Sequence, residues 1–275
     1  MSSRRMASGG WIVAAVLLAA IGAAADDLRG GLLYDKWWLI NGAEEPTGDH
    51  PLYPPVGQQT GSTTFRCKEC HGWDYKGADG AYGSGSHYTG IAGVFGTTMS
   101  PLELFALIRS PDGDGTGGTV VNGHDYATYG LTDTDIWDLV DFLLIRLLDT
   151  DLYIGSHFEF LGDAAQGESN YNSTGECFVC HGVDGTEINM GTPEDPIWVG
   201  TVAALNPWEF LHKVRFGNPG TSMPSWHEQG GDDQGAADIG AHSQEDLPGG
   251  IPGGLLIFGD GFESGDLEAW SQVVP

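Results

Sequence analysis

Four cysteines and two histidines form two short motifs of one pattern, and these residues are the best suited to chemistry in this chain. Residues 67–71 read C-K-E-C-H and residues 177–181 read C-F-V-C-H. A single C-x-x-C pair can serve as a redox dithiol, a disulfide or half of a zinc site. The two pairs are 110 residues apart, which is too far for the usual spacing of a zinc ribbon.

The histidine that directly follows each pair favours a different chemistry. Two thiols on one helical turn can form thioethers to the two vinyl groups of a haem, and the adjacent histidine then binds the iron. The sequence therefore predicts two covalently bound haems c, each held by two cysteines and one histidine. The predicted residues are Cys67, Cys70 and His71 for the first haem, and Cys177, Cys180 and His181 for the second.

Both motifs continue with glycine, and the chain resembles class I cytochrome c twice, over roughly residues 60–145 and 160–245. Around the first motif, F-R-C-K-E-C-H-G-W-D-Y-K-G is also similar to a group of secreted bacterial multi-haem cytochromes. The resemblance implies a mainly α fold of two tandem cytochrome c-like helical domains with long loops. It implies electron transfer as the function.

An internal repeat aligns the two halves beyond the motifs. Residues 100–109 read S-P-L-E-L-F-A-L-I-R and residues 206–215 read N-P-W-E-F-L-H-K-V-R. Each segment predicts a helix, because a capping residue is followed by proline at the first helical position. Ser100 with Glu103 predicts a capping box, and Asn206 with Glu209 is a looser equivalent.

Met223 follows the second of these helices, within G-T-S-M-P-S-W. The resemblance implies that its thioether sulfur is the axial ligand opposite His181. A buried core methionine is the alternative, since that is the more common role of this residue.

The first copy carries His124 where the repeat has Met223, so we expect His124 to be the second axial ligand of the first haem. Met99 aligns with Leu205, ahead of the helix, and is more in keeping with apolar packing. Met99, His87 and an open coordination site remain the alternatives.

The repeat also predicts helices at the ends of each copy. Thr132 caps a helix whose apolar stripe is Ile136, Leu139, Val140, Leu143 and Leu147. Its counterpart, around residues 236–244, should be weakened by Gly235 and Gly240.

A helix with a glycine and an aromatic residue precedes the motif in the resembled family. The second copy offers Gly162, Gly167 and Tyr171, whereas the first offers only Gly31 and Tyr34, more than thirty residues before Cys67. A helix over residues 32–39 packs on the first domain, or it forms a separate arm, and the insert that follows runs over the surface.

The N-terminus has the three parts of a secretory signal peptide. Arg4 and Arg5 precede an apolar run over residues 11–21, and small residues 23–25 precede Asp26. A retained membrane anchor is the alternative, but no second long apolar segment follows. We expect a periplasmic or extracellular protein without a transmembrane span after cleavage. The predicted division is 1–25 signal peptide, 26–148 first domain with an N-terminal extension, 149–161 linker, 162–247 second domain and 248–275 tail.

The chain has 38 acidic and 11 basic side chains, which gives a formal net charge of −27. This balance excludes nucleic acid and anionic membranes as main partners, because both require clustered lysine and arginine. We expect redox partner proteins with a basic docking face, unless the charge serves solubility alone.

An electron carrier, and not an enzyme, is therefore the favoured function. The alternatives are a haem enzyme (a small inorganic oxidase or a peroxidase) and an electron-accepting subunit of a dehydrogenase complex, which exposed Trp37, Trp38 and the tail would suit. Residues 112–118 are expected to form a glycine-rich turn. The remaining histidines are expected to face solvent or to lie on helix surfaces; they are His50, His87, His157, His212, His227 and His242.

Overall fold

The computed structural model describes residues 26–110 and 123–250. These residues are mainly helical and contain no strand, only two isolated antiparallel bridges, Gly77 with Ala92 and Ile154 with Phe160. The predicted mainly α fold is confirmed. The predicted signal peptide, the turn at 112–118 and the tail beyond residue 250 lie outside the described residues.

Ten α-helices occur within the described ranges. They are α1 (Asp27–Asn41), α2 (Cys67–His71), α3 (Pro101–Arg109), α4 (Tyr126–Tyr129), α5 (Asp133–Asp141), α6 (Ala164–Ser169), α7 (Phe178–His181), α8 (Val199–Leu205), α9 (Pro207–Phe216) and α10 (Asp233–Glu245). Short 3₁₀ turns lie at Gly61–Phe65, Ala81–Gly83 and Thr150–Leu152, and π turns at Phe142–Arg146 and Asn170–Thr174.

Two apolar cores correspond to the two copies of the motif. The first core is centred on α1 and α5, with Leu33, Trp37, Ile136 and Leu139 fully or almost fully buried. The second core is formed mainly by α8, α9 and α10. The capping box predicted at Ser100 and the caps predicted at Thr132 and Asn206 are confirmed, and the structure shows that Thr132 also forms a capping box with Asp135.

Glycines allow one close helix crossing in each domain. A Cβ atom at Gly30 on α1 would lie 2.2 Å from the carbonyl oxygen of Asp138 on α5. A Cβ atom at Gly167 on α6 would lie 1.9 Å from the carbonyl oxygen of Asp238 on α10. Only a residue without a side chain permits these approaches of backbone to backbone.

A tyrosine four residues later completes the correspondence between α1 and α6. The hydroxyl of Tyr34 donates to the carbonyl of Gly72 at 2.8 Å, and that of Tyr171 donates to the carbonyl of Gly182 at 2.9 Å. Helix α1 is therefore the first-domain counterpart of α6, and its predicted packing on the first domain is confirmed.

Two details of the predicted N-terminal helix are wrong. The helix is longer than residues 32–39, because Asp26 caps it through the amides of Leu28 and Arg29. The crossing glycine is Gly30, whereas Gly31 faces Phe216 of the second domain, 2.4 Å from a Cβ built there.

The predicted weakness of the last helix is also wrong, since α10 is a continuous helix of 13 residues. Its glycines make room for aromatic rings. A Cβ atom at Gly240 would lie 2.6 Å from the Phe160 ring, and one at Gly235 would lie 2.8 Å from Trp226. Packing therefore offsets the low helix propensity of glycine.

The apolar stripe predicted from Ile136 to Leu147 is buried or half-buried. The α-helix itself ends at Asp141 and continues as the π turn Phe142–Arg146.

From the sequence, Trp37 and Trp38 are expected to be exposed, which would suit a docking subunit. That expectation is wrong, because Trp37 is fully buried and Trp38 is 5% exposed.

The expected solvent exposure of the remaining histidines is wrong at most positions. Only His157 is exposed, in a sharp turn beside Glu159. The others are buried or nearly so, and are His50, His87, His212, His227 and His242.

A hydrogen-bonded network joins the two domains through His212 on α9. Its Nδ1 accepts from the Tyr75 hydroxyl at 2.8 Å, and its Nε2 donates to the Gly31 carbonyl at 3.0 Å. Arg215 donates to the Tyr75 oxygen at 3.4 Å and to the Arg146 carbonyl at 2.7 Å. A neutral imidazole satisfies both nitrogens, with Nδ1 as the acceptor and Nε2 as the donor.

We predict that Gly167→Ala destabilises the protein by about 1–3 kcal/mol, the usual cost of overpacking a core. The added methyl group meets the backbone of α10, which cannot move aside without opening the crossing. Glu168→Ala, at an exposed position of the same helix, is the control and should change stability by less than about 0.5 kcal/mol. Denaturant unfolding measures the free energy of unfolding of both variants. Equal losses of stability would contradict the close approach of Gly167 to the backbone of α10.

Candidate haem sites

The first motif forms the short helix α2. Side chains of the first core hydrogen-bond to the backbone just before the N-terminus of this helix. The Trp37 indole and the Tyr126 hydroxyl both donate to the carbonyl of Phe65, at 3.1 and 2.8 Å. Gly72 ends the helix with φ at +78°, and a Cβ there would lie 2.4 Å from a carboxylate oxygen of Asp74. Glycine after the histidine is therefore a steric requirement of this turn.

His71 is oriented by one hydrogen bond. Its Nδ1 donates to the carbonyl of Ala92 at 2.8 Å, which leaves Nε2 as the nitrogen available to a metal. Burial lowers the pKa of His71 below its ordinary value. The imidazole is therefore neutral at pH 7, as a metal ligand must be.

The rings of His124 and His71 lie at a separation that suits one metal ion between them. The two ring centroids are 6.1 Å apart and the ring planes differ by 38°. Two metal–nitrogen bonds of about 2 Å, plus about 1 Å from each nitrogen to its ring centre, span about 6 Å. The pair therefore fits an iron bound between two imidazoles.

The surroundings of His124 keep it uncharged and leave a polar atom without a partner. Burial, with the nearby His71 and His50, lowers the pKa of His124 to about 4. Its Nδ1 is buried and has no hydrogen-bond partner in the described residues. An orphaned polar atom of this kind is unusual in a protein interior and is typical of functional positions.

The two alternatives to His124 lie elsewhere. His87 donates to Glu69 at 2.5 Å and stacks on Tyr82, with ring centroids 4.8 Å apart. Met99 is half-buried and packs against the first core, as expected of an apolar packing residue.

His50 also lies near this site, although its sequence context does not predict that position. Its ring centroid lies 4.9 Å from that of Phe65 and 5.4 Å from that of Tyr126. The Tyr126 ring in turn stacks with that of His124, with centroids 6.1 Å apart. His50 comes from the long insert, 74 residues before His124, and no local pattern marks the contact.

The second motif forms the helix α7, preceded by Cys177. The amide of Cys177 donates to the Tyr171 carbonyl at 3.0 Å, so the same tyrosine holds both ends of the motif. Burial lowers the pKa of His181. Its Nδ1 is buried without a hydrogen-bond partner among the described residues, unlike that of His71.

Met223 lies in the loop between α9 and α10. This loop is fastened back onto α9, since Ser225 donates to the Arg215 carbonyl at 2.6 Å and the Trp226 amide donates to Val214 at 2.9 Å. Met223 is half-buried against the second core, which Cys177 also contacts. Cys177 and Met223 therefore adjoin the same core.

The four cysteines are free of disulfides, and the surroundings of three of them disfavour the thiolate that a redox dithiol needs. Burial raises the pKa of Cys67 and Cys70 to about 12 and that of Cys177 to about 11. Reactive dithiols have the opposite shift, because the thiolate is the nucleophile. Within the described residues, no three or more side chains of His, Cys, Asp and Glu group into a metal site.

Comparison with known families places one match on each half of the chain. Residues 58–145 match the family described as cytochrome c, and residues 162–242 match the family described as cytochrome c oxidase, cbb3-type, subunit III. No curated protein and no solved structure matches the chain. No helix in the described part is long and apolar enough to cross a membrane. The two matches support a c-type cytochrome, with a cytochrome c domain in the first half and a cbb3-type cytochrome c domain in the second.

Proposed function

We propose that this chain is an exported electron-transfer protein that carries two covalently bound haems c, one in each domain. The observation that carries the proposal is the opposed pair of neutral imidazoles, His71 and His124, 6.1 Å apart beside the first C-x-x-C. Haem, when bound, supplies an iron that takes up and releases one electron.

The residues of the chain would hold the two haems in different ways. Cys67 and Cys70 would attach the first haem, with His71 and His124 as the iron ligands. Cys177 and Cys180 would attach the second haem, with His181 and Met223 as the iron ligands. The division into domains at residues 26–148 and 162–247, joined by 149–161, gives each haem its own core.

The attachment of two haems is tested by intact mass after expression in a host with a cytochrome c assembly system. We expect a mass that corresponds to the chain from Asp26 plus two haems. Cys67→Ala and Cys177→Ala should each remove one haem. Ser169→Ala, at an exposed position outside both motifs, is the control and should remove none. A mass with one haem or none in the unmutated protein would contradict the proposal.

The proposed partner is a redox protein with a basic face. Beyond Arg4 and Arg5 the chain has nine basic side chains, and eight of these pair with carboxylates within the described residues. The many other carboxylates leave a negative field that attracts cations over about 10 Å at 0.1 M salt.

The salt dependence of electron transfer tests this choice of partner. We expect the rate with a basic monohaem cytochrome c to fall steeply as the salt concentration rises, because salt screens the attraction. An acidic monohaem cytochrome is the control. Equal rates with both partners, independent of salt, would make the charge a solubility feature only.

A second candidate function is an electron-transferring subunit of a larger complex, which the match of residues 162–242 to a family named for an oxidase subunit favours. Native gel electrophoresis of extracts from the source organism, stained for haem, distinguishes the two. Migration at the mass of the isolated chain supports a free carrier, and migration at a much larger mass supports a subunit.

A further inference from the structure

The two motif helices differ in what covers the residues between their cysteines. In the first domain these residues are Lys68 and Glu69, which are 4% and 0% exposed. In the second domain they are Phe178 and Val179, which are 36% and 65% exposed. The residues between the two cysteines are therefore buried in the first domain and exposed to solvent in the second. We call this the covered face in the first motif and the open face in the second.

The cover of the first motif is built from the chain itself. Glu69 accepts from His87 at 2.5 Å and pairs with Lys68 at 2.8 Å. The Lys68 ammonium lies over the rings of Trp73 and Tyr82, at 5.4 and 5.9 Å from their centroids. These buried ionic and aromatic contacts leave no room for another protein at this face.

The open face of the second motif is apolar at its centre. Val179 and Val183 lie on either side of His181 in sequence, and Val183 is 71% exposed. Phe178 adds aromatic surface, and Cys180 is exposed as well. A group of neighbouring exposed apolar side chains is typical of a site where another protein docks.

The rim of this face is acidic and contains no cation. Glu176 and Asp184 flank the apolar residues, and Glu187 packs against the turn at Gly182; all three are exposed. The sequence has no lysine or arginine from residue 147 to 212 or from residue 216 to 275. Lys213 and Arg215, the two basic residues of this half, are paired with Glu209 and Asp233.

We propose that this surface, centred on Phe178, Val179 and Val183, is where a redox partner with a cationic rim docks. The inference rests on the proposed electron-transfer function and adds that electrons enter or leave through the second domain. Charge complementarity selects the occupant, because a second copy of this chain would bring a like charge of −27 against the acidic rim. His181, which follows this surface in the motif, would hold the haem that supplies the exchanged electron.

A matched pair of lysine substitutions tests the position of the docking surface. Val183→Lys places a positive charge at the centre of the apolar face. Leu102→Lys, on α3 of the first domain, introduces the same charge at a side chain that is also 71% exposed. Both variants change the net charge equally, so any difference between their rates reports on location.

The measurement is the bimolecular rate of electron transfer between the haem-loaded full chain and a basic monohaem cytochrome c at low salt. We expect Val183→Lys to lower the rate roughly five- to tenfold and Leu102→Lys to lower it less than about twofold. Equal rates for the two variants overturn the inference. Haem content and full reduction by dithionite are measured first, and a chain that lacks haem contradicts the proposed function instead.

A photocrosslinking residue in place of Val179 identifies what occupies the surface. Crosslinks to the basic cytochrome support the inference. Crosslinks to residues 251–275 of the same chain, or to a second copy, overturn it, because that segment or copy would then be the occupant.

Discussion

Replacing Met223 with alanine is expected to lower the reduction potential of the second haem by on the order of 100 mV, part of the roughly 0.8 V that axial ligands span. A thioether ligand stabilises ferrous iron, and its loss leaves His181 with water or another weak ligand. The far-red absorption band that arises from sulfur bound to ferric iron should disappear. Before the mutation, the second haem should have the higher potential, because a second imidazole at His124 favours ferric iron in the first domain.

Met190→Ala is the matched control, since Met190 is an exposed methionine of the same domain. It should leave both the band and the potential unchanged. His124→Ala should alter the first haem alone and produce an open, high-spin iron there. If the far-red band survives in Met223→Ala, Met223 is not the ligand, and its contact with the second core is its only role.

The second large expected effect is a loss of stability in acid that depends on His212. Burial lowers the pKa of His212 to about 3, aided by Arg215 and Lys213, while Asp35 raises it. Because the unfolded chain binds a proton at about pH 6.5 and the folded chain does not, stability is lost as pH falls from about 6.5 to about 3. One such group changes the unfolding free energy by about 1.4 kcal/mol per pH unit, up to about 5 kcal/mol in total.

His212→Gln isolates this contribution. Glutamine keeps a donor for the Gly31 carbonyl and cannot be protonated. The difference in unfolding free energy between the unmutated protein and the variant should therefore shrink as pH falls from 6.5 to 4.5. The carboxylates of buried Glu69 and half-buried Asp233, whose pKa values are lowered to about 2, act only below that window. Parallel stability curves for the two proteins would show that His212 does not titrate at the domain interface.

The sequence was a good guide wherever the determining contact is local. The haem motifs, the capping boxes at Ser100 and Thr132 and the helix after Asn206 each depend on residues within a few positions of one another. Their physical causes, a helical turn and its unsatisfied amides, are fully contained in the local sequence.

The errors concern contacts between residues that are distant in sequence. Gly240 of α10 looked unfavourable because its benefit lies in its contact with Phe160, 80 residues earlier. Two of the buried histidines looked exposed because their partners are distant in sequence: His212 binds Tyr75, 137 residues away, and His87 binds Glu69, 18 residues away. Helix propensity and residue averages contain no information about such partners.

The candidate site was predictable in its cysteines and first histidines but not in its surroundings. The opposed placement of His71 and His124 follows from a weak internal alignment, and the role of His50 beside them follows from nothing local. The difference between the covered and the open motif face was equally hidden. It depends on whether a distant loop folds back, as the loop with His87 does over Glu69.

The position of α1 constrains the order in which the chain can be assembled. Its crossing partner, α5, ends at Asp141, and the Phe216 ring that packs against Gly31 comes still later in the chain. A chain synthesised from its N-terminus therefore contains Cys67 and Cys70 before the helices that complete the first core, against which Cys67 packs, have been made. The first core stays incomplete during that interval, in which a haem-attaching enzyme would have time to reach both thiols.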